Sequence, residues 1–197
     1  MDHQGRKSEN RRRLLDEGVR LLLHQGYHAT GLQEILGRAG VPKGSFYHYF
    51  PSKEAFGAAV IAHYIEPFIV QLESWLERPD LDPLGALESY FRSLIAELQA
   101  NDFQGGCLLG NLMAEIGDTS DICRQALRRA LHRYRDKIAT ALRRAQEQGL
   151  VGRGRPPEEL ADFIVDYWQG ALLRMKIERS ITPLERFMDQ VFHHTLQ

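Results

Sequence analysis

Apolar residues recur at intervals of three and four along nearly the whole chain, which is the spacing of one buried face of an α-helix. A first helix over 9–24 shows this pattern at Leu14, Leu15, Leu21 and Leu22, and Gly26 ends it. Further helices are predicted over 32–39, 42–50, 52–77, 84–100, 107–117, 120–148, 157–179 and 183–196. No stretch alternates as a strand would, so we expect an all-α protein of about nine helices.

Proline and glycine separate the predicted helices. Pro67 lies inside the fourth helix and should kink or split it. Breaks are predicted at RPDLDP (78–83), NDFQGG (101–106), GRGRPP (152–157) and SITP (180–183). Three short-to-medium helices come first, and six helices of a larger bundle follow.

The composition narrows the class of protein. Of the 197 residues, 43% are hydrophobic and 26% are charged, as in a globular protein. No run approaches ~18 consecutive apolar residues, so no membrane span or membrane partner is expected. The polar N-terminus predicts no secretion signal, and two cysteines fit a reducing cytoplasm. The net charge of −1 hides an excess of basic residues in positions 1–50, which allows nucleic-acid binding by one face.

The stretch VPKGSFYHYFPSKE (41–54) combines aromatic rings with cations on a helix of two turns. A short helix closed by Gly40, a turn and a second short helix form a helix-turn-helix, whose second helix enters the major groove. Phe46 and Phe50 are four residues apart and should face inward. The start of the second helix, from Pro42 to Ser45, is small or cationic and suits close approach to phosphate.

The segment GYHATGLQEILGRAGVPKGSFYHYFPSKEAF (26–56) resembles the DNA-binding domain of the TetR/AcrR family of transcriptional regulators. The chain departs from the family pattern at Leu36, Pro42 and Tyr49. The resemblance implies a three-helix DNA-binding domain over 7–67, joined by helix 4 as the connector to a ligand-binding and dimerisation domain over 68–197. It implies DNA contacts from Thr30, Gly31, Lys43, Gly44, Ser45, Tyr47, His48 and Lys53. Lys43 and His48 are the candidates for base contacts, whereas Tyr47, Thr30 and Lys53 would contact phosphate.

The arginine-rich N-terminus has two interpretations. Arg6, Lys7 and the arginines at 11–13 are placed to reach along the DNA backbone or into the minor groove. Alternatively, they form the solvated start of the first helix. The basic run 124–144 is interpreted as a solvated face that pairs with the acidic middle of the chain, because its charges spread around the helix.

Wide apolar stripes run along the last two predicted helices, including Phe163, Tyr167, Leu172 and Phe187. The resemblance implies that two protomers join these helices, 157–179 and 183–196, in a four-helix bundle. A two-fold dimer would bind a palindromic operator whose half-sites lie about one helical turn or a little more apart. The alternative is that the stripes only fill the core of one chain.

GGCLLGN (105–111) places Cys107 at or next to a helix start, which favours a reactive thiolate. With WQGALLRMKIE (168–178), it resembles a branch of the family that includes repressors responsive to acrylate and to electrophiles. That resemblance implies Cys107 as a sensing thiol with Lys176 nearby; an inert buried cysteine is the alternative. Cys123 is interpreted as structural.

A small-molecule pocket is expected in the bundle. Its candidate lining residues are Tyr64, Tyr90, Phe103, Tyr134 and Trp168, with Asn111 or Arg174 as polar anchors. Each of these is alternatively an ordinary core or surface residue. His193 and His194 are adjacent and point to different helix faces, so no metal site is expected, and no cofactor is expected either.

The leading interpretation is a cytoplasmic, homodimeric repressor that a small molecule, such as an electrophile or a small unsaturated acid, releases from its operator. An all-α enzyme with Cys107 as nucleophile is the first alternative, although no His or acid lies at a known motif spacing from it. A structural DNA-binding protein without a small ligand is the second.

Overall fold

A computed structural model describes residues 3–103 and 106–197. The described residues form nine α-helices and no strand, which confirms the all-α prediction. A segment of π-helix, Gln190–Thr195, continues the last helix. The helices are α1 (His3–Gln25), α2 (Leu32–Ala39), α3 (Lys43–Tyr49), α4 (Lys53–Leu76), α5 (Pro83–Ala100), α6 (Leu108–Ile116), α7 (Asp121–Glu147), α8 (Pro157–Glu178) and α9 (Thr182–Asp189).

Two features differ from the sequence predictions. The first helix begins at His3 rather than near residue 9. Residues 3–13 carry no apolar periodicity, but their Gln, Arg, Lys and Glu side chains favour a helix. The sequence predicts that Pro67 kinks or splits the fourth helix; α4 continues from Lys53 to Leu76, so there is no split, and a kink stays a prediction. Proline removes one hydrogen bond, and the turns on either side maintain the helix.

The described chain divides into two compact units. The N-terminal unit comprises the residues up to Glu66 together with Leu108–Ala130. The C-terminal unit comprises Pro67–Cys107 and Leu131–Gln197. One boundary falls within α4, one directly before α6 and one within α7. This division differs from a simple split at 7–67 and 68–197 because α6 and the start of α7 join the N-terminal unit.

The N-terminal unit is built around three phenylalanines. Phe46, Phe50 and Phe56 are buried, and their ring centroids lie 5.0 to 5.6 Å apart. A Cβ at Gly18 would lie 2.6 Å from the Phe56 ring, so the absence of a side chain lets α1 and α4 pack closely. The inward orientation predicted for Phe46 and Phe50 is confirmed, and α3 is anchored by its inner face.

A larger aromatic cluster fills the C-terminal unit. Phe91 on α5 lies 5.1 Å from both Trp168 on α8 and Phe187 on α9, measured between ring centroids. Trp168 and Phe187 are 5.0 Å apart, and all three side chains are buried. These rings join α5, α8 and α9 into one core.

By length and composition, α4 is long and apolar enough to cross a membrane, with a mean hydropathy of 1.4, and it is the one such helix in the described residues. Helices of a protein core pass the same test. Buried side chains of α4 include Phe56, Val60, Ile61, Ile65 and Leu72. Burial accounts for part of the apolar character of α4, since 39% of its apolar window is buried. The absence of a membrane partner stays a prediction.

Candidate nucleic-acid interface and sensing residues

The α2–α3 segment has the geometry of a helix-turn-helix. Gly40 ends α2 in the left-handed conformation with φ 62°, a conformation that favours glycine. Val41 is buried beneath the turn, and Pro42 immediately precedes the first residue of α3. The turn is therefore fixed by one conformational requirement and one buried side chain.

The outer face of α3 carries most of the predicted DNA contacts. Phe46 is buried, whereas Lys43, Gly44, Tyr47 and His48 are exposed. Tyr47 is 62% exposed although its ring contacts the edge of Phe46, with the centroids 5.4 Å apart. Such an exposed aromatic residue leaves its hydroxyl available to a ligand. Ser45 is partly exposed on the same helix.

Gly31 is exposed at the residue before α2, and a Cβ there would meet nothing within 4 Å. The backbone at this position is therefore open to close approach by a ligand. Together with the start of α3, it lies in the predicted DNA-binding segment.

Two predicted phosphate contacts are turned inward. Thr30 is 0% exposed, and its hydroxyl donates a hydrogen bond of 2.6 Å to the carbonyl of Gly26. The Lys53 ammonium donates to the Tyr27 carbonyl at 2.9 Å and lies 4.6 Å from the centroid of the Tyr27 ring. Burial lowers the pKa of Lys53, partly offset by the charge of Glu115. Both side chains hold the connection between α1 and α2 in this geometry.

Sequence reasoning missed Glu115. Its carboxylate accepts hydrogen bonds from the backbone N–H groups of Tyr27, at 2.7 Å, and His28, at 2.6 Å. The residues are more than 80 positions apart, so no local pattern links them. α6 thereby contacts the same α1–α2 connection that Thr30 and Lys53 hold.

The arginine-rich N-terminus lies on α1. The Arg11 guanidinium is 5.4 Å from the centroid of the Phe50 ring, and Arg12 is 3.9 Å from Glu9. The side chains of residues 5–9 are exposed. These positions agree with a solvated helix start, and minor-groove contact stays a prediction.

The basic residues of α7 pair with acids on the surface. Arg124 contacts Asp121 at 2.6 Å, Lys137 pairs with Glu73, and Arg143 pairs with Glu158. The first two partners belong to the acidic middle of the chain, as predicted. This surface is therefore at least partly neutralised.

The candidate ligand residues fall into separate groups. Tyr90 and Tyr134 are buried in the C-terminal unit, and the Tyr134 hydroxyl donates to that of Tyr90 at 3.0 Å. Burial raises the pKa of Tyr90 well above its usual range. Trp168 belongs to the aromatic cluster, and Phe103 is partly exposed in the loop after α5. The buried members thus have a core role whether or not they also contact a ligand.

The remaining candidates are more polar. Tyr64 and Asn111 belong to the N-terminal unit, where the Tyr64 hydroxyl accepts from the backbone N–H of Leu108 at 3.3 Å. Arg174 and Lys176 are exposed on α8, and Arg174 pairs with Glu178 at 2.6 Å. Their assignment to one ligand site stays a prediction.

The two cysteines have different surroundings. Cys107 is partly exposed, and its sulfur accepts a hydrogen bond of 3.3 Å from the Gln169 side-chain amide. The Lys176 side chain lies close to Gly106, the residue before Cys107: its Cδ is 3.8 Å from the position that a Cβ on Gly106 would take. Cys123 is fully buried, 3.5 Å from the Glu54 carbonyl, and burial raises the pKa of its thiol. An amide cannot act as a general base, so Gln169 does not activate the Cys107 thiol by taking its proton.

A concave surface of about 670 Å³ lies along α8 and the start of α9. On the same helix, Leu173 is 51% exposed and Ile177 is 83% exposed. The lining includes Phe163, Tyr167, Gly170, Leu173, Arg174 and Pro183. Most of the apolar stripe predicted on α8 is buried inside the unit, and Leu173 and Ile177, which lie outside that stripe, add exposed apolar side chains to the same helix.

Among the described residues, no group of three or more His, Cys, Asp or Glu side chains is arranged to hold a metal ion.

Comparison with known proteins identifies the family. Residues 14–60 match the family "Bacterial regulatory proteins, tetR family", and residues 83–191 match "Tetracyclin repressor-like, C-terminal domain". The HTH-type transcriptional repressor DhaR of Mycobacterium sp. (strain GP1) is 38% identical over 94% of this chain and 92% of its own length. Transcriptional regulator AcuR of Cereibacter sphaeroides is 37% identical over 88% of this chain and 80% of its own.

Solved structures support the same family assignment. Regulatory protein TetR from Rhodobacter sphaeroides has a TM-score of 0.85 and 36% identity, covering 93% of this chain and 97% of its own. The reduced form of NemR from Escherichia coli has a TM-score of 0.85 and 32% identity, covering 93% and 96%. Repressors of this kind bind DNA operators and form dimers. The chain therefore belongs to the TetR family and is a ligand-responsive, DNA-binding transcriptional regulator.

Proposed function

We propose that the chain is a cytoplasmic homodimeric repressor that binds a near-palindromic operator through α3 and is released by a small electrophile. The observation that carries the proposal is the two-sided nature of α3. Its inner face is anchored by buried Phe46, and its outer face exposes Lys43, Gly44, Tyr47 and His48. A rigidly held helix with small, cationic and hydrogen-bonding groups on the outside suits the major groove.

The roles of the outer residues follow from their chemistry. Lys43 and His48 are assigned to base edges, because a cation and an imidazole can donate to guanine acceptors. The Tyr47 hydroxyl, with Ser45, is assigned to phosphate. Gly44 and Gly31 allow the backbone to approach the DNA closely. Thr30 and Lys53 are assigned to holding the α1–α2 connection, since both side chains are already bonded there.

The dimer is proposed to form through α8 and α9. The concave surface along these helices carries exposed Leu173, with Ile177 exposed nearby, and Gly170 permits close approach of another helix. A second copy of the same surface would bury these apolar side chains about a two-fold axis. Two copies of α3 would then contact successive major grooves.

The signal is proposed to be chemical modification of Cys107. An α,β-unsaturated acid or carbonyl would react by conjugate addition. The thiol loses its proton to water, the sulfur forms a bond to the β-carbon, the alkene π pair moves to the α-carbon, and that carbon takes a proton back from water. Cys107 is partly exposed, whereas Cys123 is buried and its thiol pKa is raised, so modification should be selective.

The experiment starts from DNA upstream of the chain's own gene, supplemented by fragments selected from random DNA. A gel shift with non-specific competitor is expected to give a discrete band, with one dimer per operator by sedimentation. Treatment with N-ethylmaleimide should release the wild type and the matched Cys123→Ser variant, but not Cys107→Ser.

Each arm of that experiment has a contrary outcome. If neither the upstream DNA nor the selected fragments bind, the repressor proposal fails. Release of Cys107→Ser by the reagent would assign the signal to another group. A monomer on DNA would remove the dimer from the proposal.

A further inference from the structure

The α1–α2 connection in the N-terminal unit is held from both sides at one residue, Tyr27. The N–H of Tyr27 donates to Glu115 at 2.7 Å, and the carbonyl of Tyr27 accepts from Lys53 at 2.9 Å. The next N–H, that of His28, donates to the other oxygen of Glu115 at 2.6 Å. Two successive amides and one carbonyl are therefore fixed by side chains from α6 and α4.

Backbone conformation makes room for this contact. Gly26 has φ 81°, which turns the chain at the end of α1. A Cβ at Gly26 would lie 2.7 Å from a Glu115 carboxylate oxygen. The carboxylate thus occupies the space that a side chain would fill. Hydrogen bonds from N–H groups to an ionised carboxylate are short and strong, which matches the observed distances.

A second polar contact holds the connection between α6 and α7. Ser120 donates to the Glu54 carboxylate at 2.6 Å and accepts from the N–H of Cys123 at 3.3 Å, at the start of α7. Residues 115–123 are therefore fastened both to the α1–α2 connection and to the start of α4. The part of the fold that leads into α2 and α3 depends on residues from a distant region of the sequence.

We propose that Glu115 is a positioning residue for DNA recognition: together with Lys53 it fixes the Tyr27 peptide, and thereby the placement of α2 and α3. The inference rests on the proposed role of α3. It assigns α6 to the DNA-reading unit itself, although α6 lies far from the helix-turn-helix in sequence.

The test compares Glu115→Gln and Glu115→Ala with a matched charge control, Asp118→Asn. Asp118 is exposed two residues after α6 ends, so its substitution removes the same charge and leaves the Tyr27 peptide untouched. Hydrogen exchange of the Tyr27 and His28 amides should accelerate at least about tenfold in Glu115→Ala. The effect should be smaller in Glu115→Gln, because one amide oxygen can still accept one of the two bonds.

Operator affinity should follow the same order. Glu115→Ala should weaken binding to the selected operator about tenfold, and Glu115→Gln less. Affinity for non-specific DNA should stay equal or rise, since it depends on net charge, and one negative charge is lost. Asp118→Asn should leave operator affinity within about twofold. General destabilisation does not produce this split between specific and non-specific binding.

Affinity is measured only for variants that have native helix content by circular dichroism and are dimeric by sedimentation. Should Glu115→Ala fail to fold, Glu115→Gln and the wild type decide the question. Normal operator affinity despite fast exchange would overturn the proposal, as would lost affinity with unchanged exchange. If the wild type binds no selected DNA, the proposed function fails first, and the exchange data separate that failure from failure of the Glu115 contact.

Discussion

Both units have an aromatic core, but the N-terminal unit also joins distant segments with charged and polar side chains, whereas the C-terminal unit joins α5, α8 and α9 through aromatic rings. In the first, Glu115 and Lys53 bond the Tyr27 peptide at 2.7 and 2.9 Å. In the second, Phe91, Trp168 and Phe187 contact one another with centroids 5.0 to 5.1 Å apart.

The two kinds of contact constrain a fold differently. Hydrogen bonds to charged groups are directional, so they fix where a peptide lies. Apolar packing stabilises strongly but tolerates the exchange of one apolar side chain for another when the total volume is kept. A unit that must present one helix to DNA benefits from the first kind. The second kind leaves side chains freer to repack, which suits the unit that carries Cys107, the proposed sensing residue.

The largest expected effect is in the aromatic cluster. Phe187→Ala should lower the free energy of unfolding by about 3–5 kcal/mol, because it removes a fully buried ring and leaves a cavity. Urea unfolding at a fixed protein concentration measures it. Val70→Ala, on an exposed part of α4, is the control and should change stability by about 0.5 kcal/mol or less. A loss below about 1.5 kcal/mol for Phe187→Ala would contradict the apolar account.

A smaller effect is expected from the polar contacts of the N-terminal unit. Lys53→Met keeps most of the apolar stem but removes the bond to the Tyr27 carbonyl, at a cost of about 1.5–3 kcal/mol in unfolding free energy. Lys7→Met, on the exposed start of α1, is the matched control. Equal stabilities of the two variants would show that the Lys53 bond adds nothing to the fold.

Alkaline pH provides a third test. Burial, more than the nearby Cys123 and Glu54, raises the pKa of Tyr27 from 10.0 to about 12 in the folded chain. The unfolded chain therefore loses this proton first, and the contribution to stability is complete below pH 10 and is lost as the pH rises towards 12. The difference between wild type and Tyr27→Phe should be flat up to pH 10. Above pH 10, the wild type should lose up to about 2 kcal/mol of unfolding free energy relative to Tyr27→Phe. A flat difference throughout would place the Tyr27 ring in water.

The smallest effect is expected for the buried tyrosine pair. Tyr134→Phe removes the 3.0 Å hydrogen bond to Tyr90 and should cost about 0.5–1.5 kcal/mol, measured by thermal unfolding. Tyr47→Phe, on an exposed ring, should leave stability unchanged while weakening DNA binding. If Tyr47→Phe lowered stability and Tyr134→Phe left it unchanged, the Tyr47 hydroxyl would be the structural one.

The local elements were predictable from sequence, and the long-range contacts were not. The 32–39 helix, Gly40 as its end and the inward face of α3 follow from periodicity and backbone preference. The early start of α1 was missed because a polar helix carries no apolar signal. The Glu115 contact was missed because a carboxylate bonded to backbone N–H groups selects no particular partner residue.

The same limit applies to the candidate DNA contacts. Thr30 and Lys53 have side chains suited to phosphate, and the sequence contains no sign that the protein's own carbonyls accept their hydrogen bonds. By contrast, Gly44 and His48 are each two residues from Phe46 and lie on the opposite face of α3, and helical geometry alone predicts their exposure.

The division of the N-terminal unit into two sequence segments has a consequence for hybrid regulators. Exchanging residues 1–66 between two such proteins would transplant Tyr27 and Lys53 but leave Glu115 and Ser120 behind. A hybrid that also carries 108–130 from the same donor keeps both ends of these bonds. Modularity in this chain therefore follows the folded unit and not the order of residues, and a graft designed by sequence position alone divides one module between two parents.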